Sequence, residues 1–309
     1  MQPKNGALYR SAFAQHPARN VRVSREGTRV TLLYETHTSL AFGRRYAFGI
    51  LRRRKLFAPF KPRFSTHSTR SFMSGSSLNL FPSEFAQLRG NARLVVYIDL
   101  KSPYAWIAIK PTREMAIAAG VEIDWRPFTL DIPSYLGSAK LAKDGKKVES
   151  SNRTPQQWSG VKYAYRDARR YAMLTDKMLR GTVKIWDSSQ AGIAMLWAKQ
   201  RGLFDRFVDI AYESFWKREL DIDDVEVLER TLTGADIETA GFRDWLAGAG
   251  RVQHDEINNQ AFDAGVYGVP TYLVDDEMWF GREHLPRVAW VLAGRQGPAP
   301  MVSNRSFAQ

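Results

Sequence analysis

The 309-residue chain contains no cysteine. Disulfides, thiolate metal sites and a dithiol redox centre are thereby excluded. No run of about 18 uncharged apolar residues occurs, so no membrane-spanning helix is expected. The five histidines are scattered and HExxH is absent, so no metal site is expected. Phosphate-cradling loops of the GxGxxG or Walker type are missing as well. Acidic residues are scarce, but only at one end. Of the 45 Lys and Arg and the 32 Asp and Glu, residues 1–72 hold 15 basic side chains against Glu26 and Glu35 alone. The rest of the chain then has 30 of each sign and is neutral. The net charge of +13 therefore does not describe a basic face on the folded part, and nucleic acid is not an expected partner.

What is present centres on Leu94–Trp106, LVVYIDLKSPYAW. Leu94–Leu100 is an apolar run that reads as a buried strand. Ser102-Pro103 opens a helix: Ser is a favoured N-cap, and Pro at the first helical position loses an N–H that had no partner there. Ser102 is thus expected at the positive end of a helix, just past the carboxyl end of a strand, where open α/β sheets bind ligands. Far away in sequence, Gly265–Val274 runs GVYGVPTYLV. A proline entering a β-rich run belongs at the first residue of the strand or on an edge, and Val269-Pro270 is a candidate cis peptide.

Residues 1 to about 90 show no sustained helical period and are rich in Arg, Ser, Thr and Phe. They are expected to form a basic, low-order extension. Three readings compete: a targeting peptide, an anion-touching arm, or translated sequence upstream of a start at Met73. The last is preferred, because the stretch is long for a presequence and has no amphipathic pattern. The expected location is the cytoplasm, with mitochondrial targeting as the alternative. Residues 91–296 read as one α/β domain. Its first helix stops at Gly120, and Val121–Trp125 alternates as a second strand. Lys140–Ser151 looks like a mobile surface insertion. From about 155 to 250 the pattern is helical. His254–Ala264 is a further helix, Tyr272–Val274 and Met278–Phe280 form a hairpin, Leu285–Leu292 is a closing helix, and 297–309 is a loose tail.

Each candidate residue also has an ordinary reading. A serine before proline is most often only a helix cap. Without a nearby base the Ser102 hydroxyl is a poor nucleophile, but it can donate a hydrogen bond to an anion. Val269-Pro270 is in any case a structural turn, and its exposed backbone can pair with an extended peptide. Asn152, Arg153 and Lys162 read alone as loop residues and a solvated helix charge. Glu283 reads alone as an acid in the first turn of a helix.

The order strand, SP-helix, long helical stretch, GVP-strand resembles a thioredoxin-like domain carrying an all-helical insertion. Over roughly Ala92–Leu292 the chain is similar to the 2-hydroxychromene-2-carboxylate isomerase and kappa-class glutathione transferase family, relatives of the disulfide oxidoreductase DsbA. Where thioredoxin folds usually carry C-x-x-C, this chain has Ser102-Pro103-Tyr104-Ala105. The resemblance implies glutathione as cofactor, with Ser102 as the catalytic residue that holds its thiolate and the Val269-Pro270 loop beside it. Asn152-Arg153-Thr154-Pro155 and Lys162 are similar to the family stretch that reaches the ligand, and imply substrate contacts from Asn152, Arg153 and Lys162. Gly281-Arg282-Glu283-His284 is a partial match to the turn that holds the γ-glutamyl end. There Glu283 stands for the family acid, His284 occupies the place of its arginine, and Arg282 is displaced. The implied activity is a glutathione-dependent cis/trans isomerase of aromatic-degradation intermediates. The alternatives are a kappa-like transferase and a non-enzymatic peptide-binding module. Glutathione, a small aromatic carboxylate and a second copy of the chain are the expected partners.

Overall fold

A computed structural model of the protein describes residues 82–301. The expectations for residues 1–81 and for most of the C-terminal tail fall outside that range. Among the described residues no helix is long and apolar enough to cross a membrane.

The first helix, α1 (Pro82–Arg89), corrects the expectation that order starts after residue 90. Its Leu88 reaches the core. Its end is tied down by Arg126, which donates to the Leu88 carbonyl at 2.6 Å, and by Arg89, which donates to the Asp275 carbonyl at 3.0 Å. Next comes β1 (Leu94–Ile98), every residue of which is buried. A strand buried on both faces reads as a continuous apolar run rather than an alternation, and LVVYI does so.

Helix α2 (Pro103–Ala119) buries Ala105, Trp106, Ile109, Thr112 and Ala116, a stripe spaced by three or four residues. It ends at Gly120, whose φ of 60° is a left-handed cap that glycine adopts at no steric cost. The chain returns as β2 (Ile123–Pro127), parallel to β1. The second half of the sheet is the hairpin β5 (Thr271–Val274) and β6 (Glu277–Phe280) around Asp275-Asp276, with β5 antiparallel to β1. The strand order is β2-β1-β5-β6.

Between the halves lie a short helix α3 (Ile132–Leu136), a hairpin of β3 (Ala139–Leu141) and β4 (Val148–Ser151), and helices α4 (Pro155–Met173), α5 (Ser189–Gln200), α6 (Phe204–Lys217), α7 (Val225–Gly234), α8 (Phe242–Ala247) and α9 (Ala249–Asp263). The hairpin replaces the mobile insertion expected at 140–151. It is anchored from both sides: Leu141 N–H donates to the Val183 carbonyl at 2.7 Å, and Arg218 donates to the Gly145 carbonyl at 3.3 Å. Helix α4 starts with a full capping box between Thr154 and Gln157. Helices α5 and α9 pack on each other and on β2. Trp106 of α2 stacks on Trp216 of α6 at 6.2 Å, joining sheet and helical region in one core. After β6 a single 3₁₀ turn (Arg282–His284) leads into α10 (Leu285–Leu292), which packs on α2 and β5.

Candidate functional site

Ser102 caps α2 as the sequence predicts. Its hydroxyl oxygen accepts from the Ala105 N–H at 3.1 Å, and the serine is 5% exposed. The hydroxyl proton is then free to point outward, and it donates to the carbonyl of Val269 at 3.2 Å. The Val269-Pro270 bond is cis. Two residues 167 positions apart therefore meet at one point. Pro103 brings no N–H to the first helical turn, and the Tyr104 N–H has no hydrogen-bond partner among the described residues. The Val269 N–H is likewise unpaired among them. Two backbone donors, a hydroxyl and the positive end of a 17-residue helix thus stand together.

These groups form one wall of a cleft of about 550 Å³, the size of a site for a small organic molecule. Leu130, Ile132 and Leu136 line it after β2. Val161, Ala164 and Tyr165 of α4 line another side, with Ile185 and Trp186 from the following loop. Tyr267 and Phe280 stand at the hairpin side. Their rings lie 4.7 Å apart. Three cationic side chains, Lys101, Arg153 and Lys184, reach the lining, whereas no Asp or Glu does among the described residues. Lys184 is ion-paired to Asp223 at 2.7 Å and lies 4.0 Å from the Trp186 ring centre. Arg153 donates to the Gly137 carbonyl at 3.2 Å and rests on Trp158. No carboxylate lies within 4.0 Å of it among the described residues. The site is therefore apolar in its body and electropositive in its polar groups.

Asp99 and Lys101 underlie the turn that carries Ser102. Asp99 is 3% exposed. Its carboxylate accepts from the backbone N–H of Lys101 at 3.0 Å and of Leu130 at 2.8 Å. Its carbonyl accepts from the Ser102 N–H at 3.0 Å and from the hydroxyl of Tyr212 at 2.9 Å. One aspartate thus fixes the chain leading into the serine and ties it to the Leu130 loop and to Tyr212 of α6. Tyr104, the residue after Ser102-Pro103, donates its hydroxyl to Asp167 at 3.1 Å. Burial, and then the Asp167 charge, push that hydroxyl well above the ordinary tyrosine range, so Tyr104 stays a neutral donor.

Of the residues singled out in the sequence, Ser102, Val269 and Arg153 lie on the cleft. Pro270 is buried beside them. Asn152 does not line the cleft. Its side-chain oxygen accepts from the Ser138 N–H at 2.6 Å and closes the base of the β3–β4 hairpin. Lys162 is exposed on the outer face of α4, near Trp158. Arg282 stacks on Tyr171 at 3.4 Å, and Glu283 is exposed with its carboxylate folded against Gly281. The turn that carries both precedes α10 rather than opening it. It is tied to the cis-proline loop because the Gly281 N–H donates to the Pro270 carbonyl at 2.9 Å. Lys101, Tyr104, Lys184 and Trp186 escape the sequence reading. The one signal for Lys101 was a lysine wedged between an apolar strand and the cap serine.

A family model described as a DSBA-like thioredoxin domain matches residues 93–293. The chain is similar to a 2-hydroxychromene-2-carboxylate isomerase from Sphingobium xenophagum, 25% identical over 190 residues that cover 61% of this chain and 92% of that protein. A protein of the same name from Pseudomonas sp. (strain C18) is 24% identical over 208 residues, 66% of this chain and 90% of that one. Among solved structures, a probable DsbA oxidoreductase from Streptomyces coelicolor aligns with a TM-score of 0.52 at 19% identity, over 70% of this chain and 96% of that one. At that identity the likeness concerns the fold alone.

Proposed function

The chain belongs to the DsbA-like thioredoxin-domain family, and from that premise we propose that it is a glutathione-dependent isomerase acting on a conjugated aromatic carboxylate. The observation that carries this reading is the meeting of Ser102 and Val269 at the N-terminus of α2, on the wall of a cleft that is otherwise apolar and cationic. The absence of cysteine rules out a dithiol mechanism at that place. The curated relatives are named for an isomerase whose substrate is an aromatic carboxylate, and the lining suits such a ligand.

Glutathione fits the thiol end of this site. When bound, it supplies a thiolate that adds reversibly to a conjugated double bond, allowing rotation and departure of the sulfur. The residues of the chain hold and protect that group. The Ser102 hydroxyl, which donates to Val269 here, would be the donor to the sulfur, and the Tyr104 amide and the helix end would favour its anionic form. The Val269 N–H pairs with the peptide backbone of the tripeptide. The Arg282–Glu283 turn, joined to Pro270 through Gly281, would hold the γ-glutamyl end, with Glu283 as the acid for its ammonium. Aromatic and aliphatic walls exclude water around the rotating bond, and the cations Arg153 and Lys184 draw a carboxylate into the cleft.

Two measurements test the reading. Calorimetric titration with glutathione should show binding in the millimolar range or tighter. A spectral assay with a 2-hydroxychromene-2-carboxylate should show isomerisation that requires added glutathione. Isomerisation independent of glutathione, or no heat at millimolar ligand, overturns it. Conjugation of glutathione to an aryl halide without isomerisation would favour the transferase reading instead.

A further inference from the structure

Lys101 is an unusual residue for the floor of an apolar cleft. Its side chain is 4% exposed, yet the residue lines the cavity next to Ser102. A buried ammonium needs a counter-charge and hydrogen bonds for its three N–H groups. Among the described residues it donates one hydrogen bond, to the Leu130 carbonyl at 2.7 Å. The nearest carboxylate oxygen, on Asp99, lies at 3.7 Å, beyond hydrogen-bond length. That carboxylate is already engaged by two backbone amides. Two of the three ammonium donors are therefore unused. Of the two charged residues, Lys101 lines the cleft and Asp99 does not, so the lysine is the member of the pair that stands on the side of a ligand.

We propose that Lys101 is the specificity-determining residue of the cleft, the group that takes the carboxylate of a conjugated aromatic acid and rejects the uncharged analogue. The inference rests on the function proposed above and names the contact that sets its substrate class. A carboxylate brings two acceptor oxygens to an ammonium with two spare donors and restores the solvation lost on burial. A neutral amide of the same shape offers one weaker acceptor and no charge. A site built around an unsatisfied polar group discriminates strongly against a ligand that cannot satisfy it. Its position next to Ser102 puts the anchor beside the reacting sulfur, so that the conjugated bond is held where the thiolate can reach it.

The test uses the full chain and two probes that need no thiol, trans-cinnamate and cinnamamide, titrated by calorimetry. The wild-type protein is expected to bind cinnamate about ten- to a hundredfold more tightly than the amide, the range for a hydrogen bond to a charged group. In Lys101→Met, with folding checked by thermal melt, cinnamate should weaken until the two probes are within about twofold, while the amide is unchanged. Lys101→Gln, which keeps a donor for the Leu130 carbonyl, carries the same comparison if the methionine variant does not fold. A wild-type protein that binds both probes equally, or neither, overturns the proposal without any variant. A preference that survives in both variants also overturns it. If cinnamate selectivity follows Lys101 but glutathione gives no heat, the function proposed above fails and the anchor stands. If glutathione binds but cinnamate is not preferred, the anchor fails and the glutathione site stands.

Discussion

Replacing Asp99 by Asn should cost the protein about 3–5 kcal/mol of stability, the range for removing one member of a buried ion pair. The structure supplies two separate reasons. The two carboxylate oxygens accept from two different backbone amides, Lys101 and Leu130. An asparagine has one oxygen, so in either orientation its amide group faces one of these donors, and an orphaned buried donor costs about 1–3 kcal/mol. The variant also leaves the Lys101 ammonium buried without a counter-charge. For a domain of 150–250 residues each kcal/mol lowers the melting temperature by roughly 2–4 °C, so the expected fall is roughly 6–20 °C. Denaturant unfolding followed by tryptophan fluorescence gives the free energy directly. The double variant Asp99→Asn/Lys101→Met should lose less than the sum of the two single variants, because neither buried charge is then left without its partner, and the amide defect and the unpaired Leu130 carbonyl are what remain. A single-variant loss below about 1 kcal/mol, or strict additivity in the cycle, would refute the reasoning about the turn.

Ser102→Ala removes a cap and the hydrogen bond to Val269, so it should lower stability by about 1–3 kcal/mol and lower turnover by more than this loss of folded protein explains; unchanged turnover at saturating glutathione would take the hydroxyl out of the mechanism. Glu283→Gln should weaken glutathione by about 0.5–1.5 kcal/mol, below the range of about 1.5–3 kcal/mol for a charged partner because the site is exposed and screened. It should leave an analogue lacking the amino group unaffected, and equal losses for both would place the γ-glutamyl end elsewhere. His254 is 3% exposed, its Nε2 bonded to Thr129 at 3.0 Å and its Nδ1 to Asp255 at 2.9 Å. Burial lowers its proton affinity below the ordinary value, against the opposing pull of Asp255. The unfolded chain therefore takes up the proton first. The stability that His254 contributes is complete above pH of about 6.5 and is lost as the pH falls below it. Unfolding midpoints at pH 7.5 and 5.5 should differ in the wild type and differ less in His254→Gln; an equal difference in both would assign the pH effect to other groups.

The parts of the site that the sequence revealed are those set by local chemistry. An apolar run followed by Ser-Pro specifies strand, cap and helix start within a dozen residues. A proline entering a β-rich run specifies a strand start. Both signals are short-ranged, and the structure brings them together because β1 and β5 are neighbours in the sheet. The edges of elements were less legible. The helix Pro82–Arg89 is short and carries no strong apolar stripe; Phe85 and Leu88 meet the core, and bonds from Arg89 and Arg126 tie down its end. The hairpin at 139–151 has exposed side chains throughout β4, so no alternation marks it, and its order comes from Val183 and Arg218.

Lys162 and Lys101 show the same limit from opposite directions. On α4 the residues Val161, Ala168 and Ala172 are buried and Tyr165 faces the cleft, at the spacing of one helical stripe. Lys162, one residue past Val161 and about 100° around the helix, is exposed to solvent. The family motif places Lys162 by its order along the chain, and order does not say which face of the helix a residue occupies. Lys101 follows a buried strand and precedes a cap, and nothing in that local pattern separates a solvated charge from a buried one. Its burial is decided by the carbonyl of Leu130, 29 positions away, and by an aspartate whose own oxygens are spent on the backbone. A cation held in this way is costly for the fold and weakly satisfied within it. That combination makes it a better candidate for ligand contact than Lys162, whose charge water already satisfies.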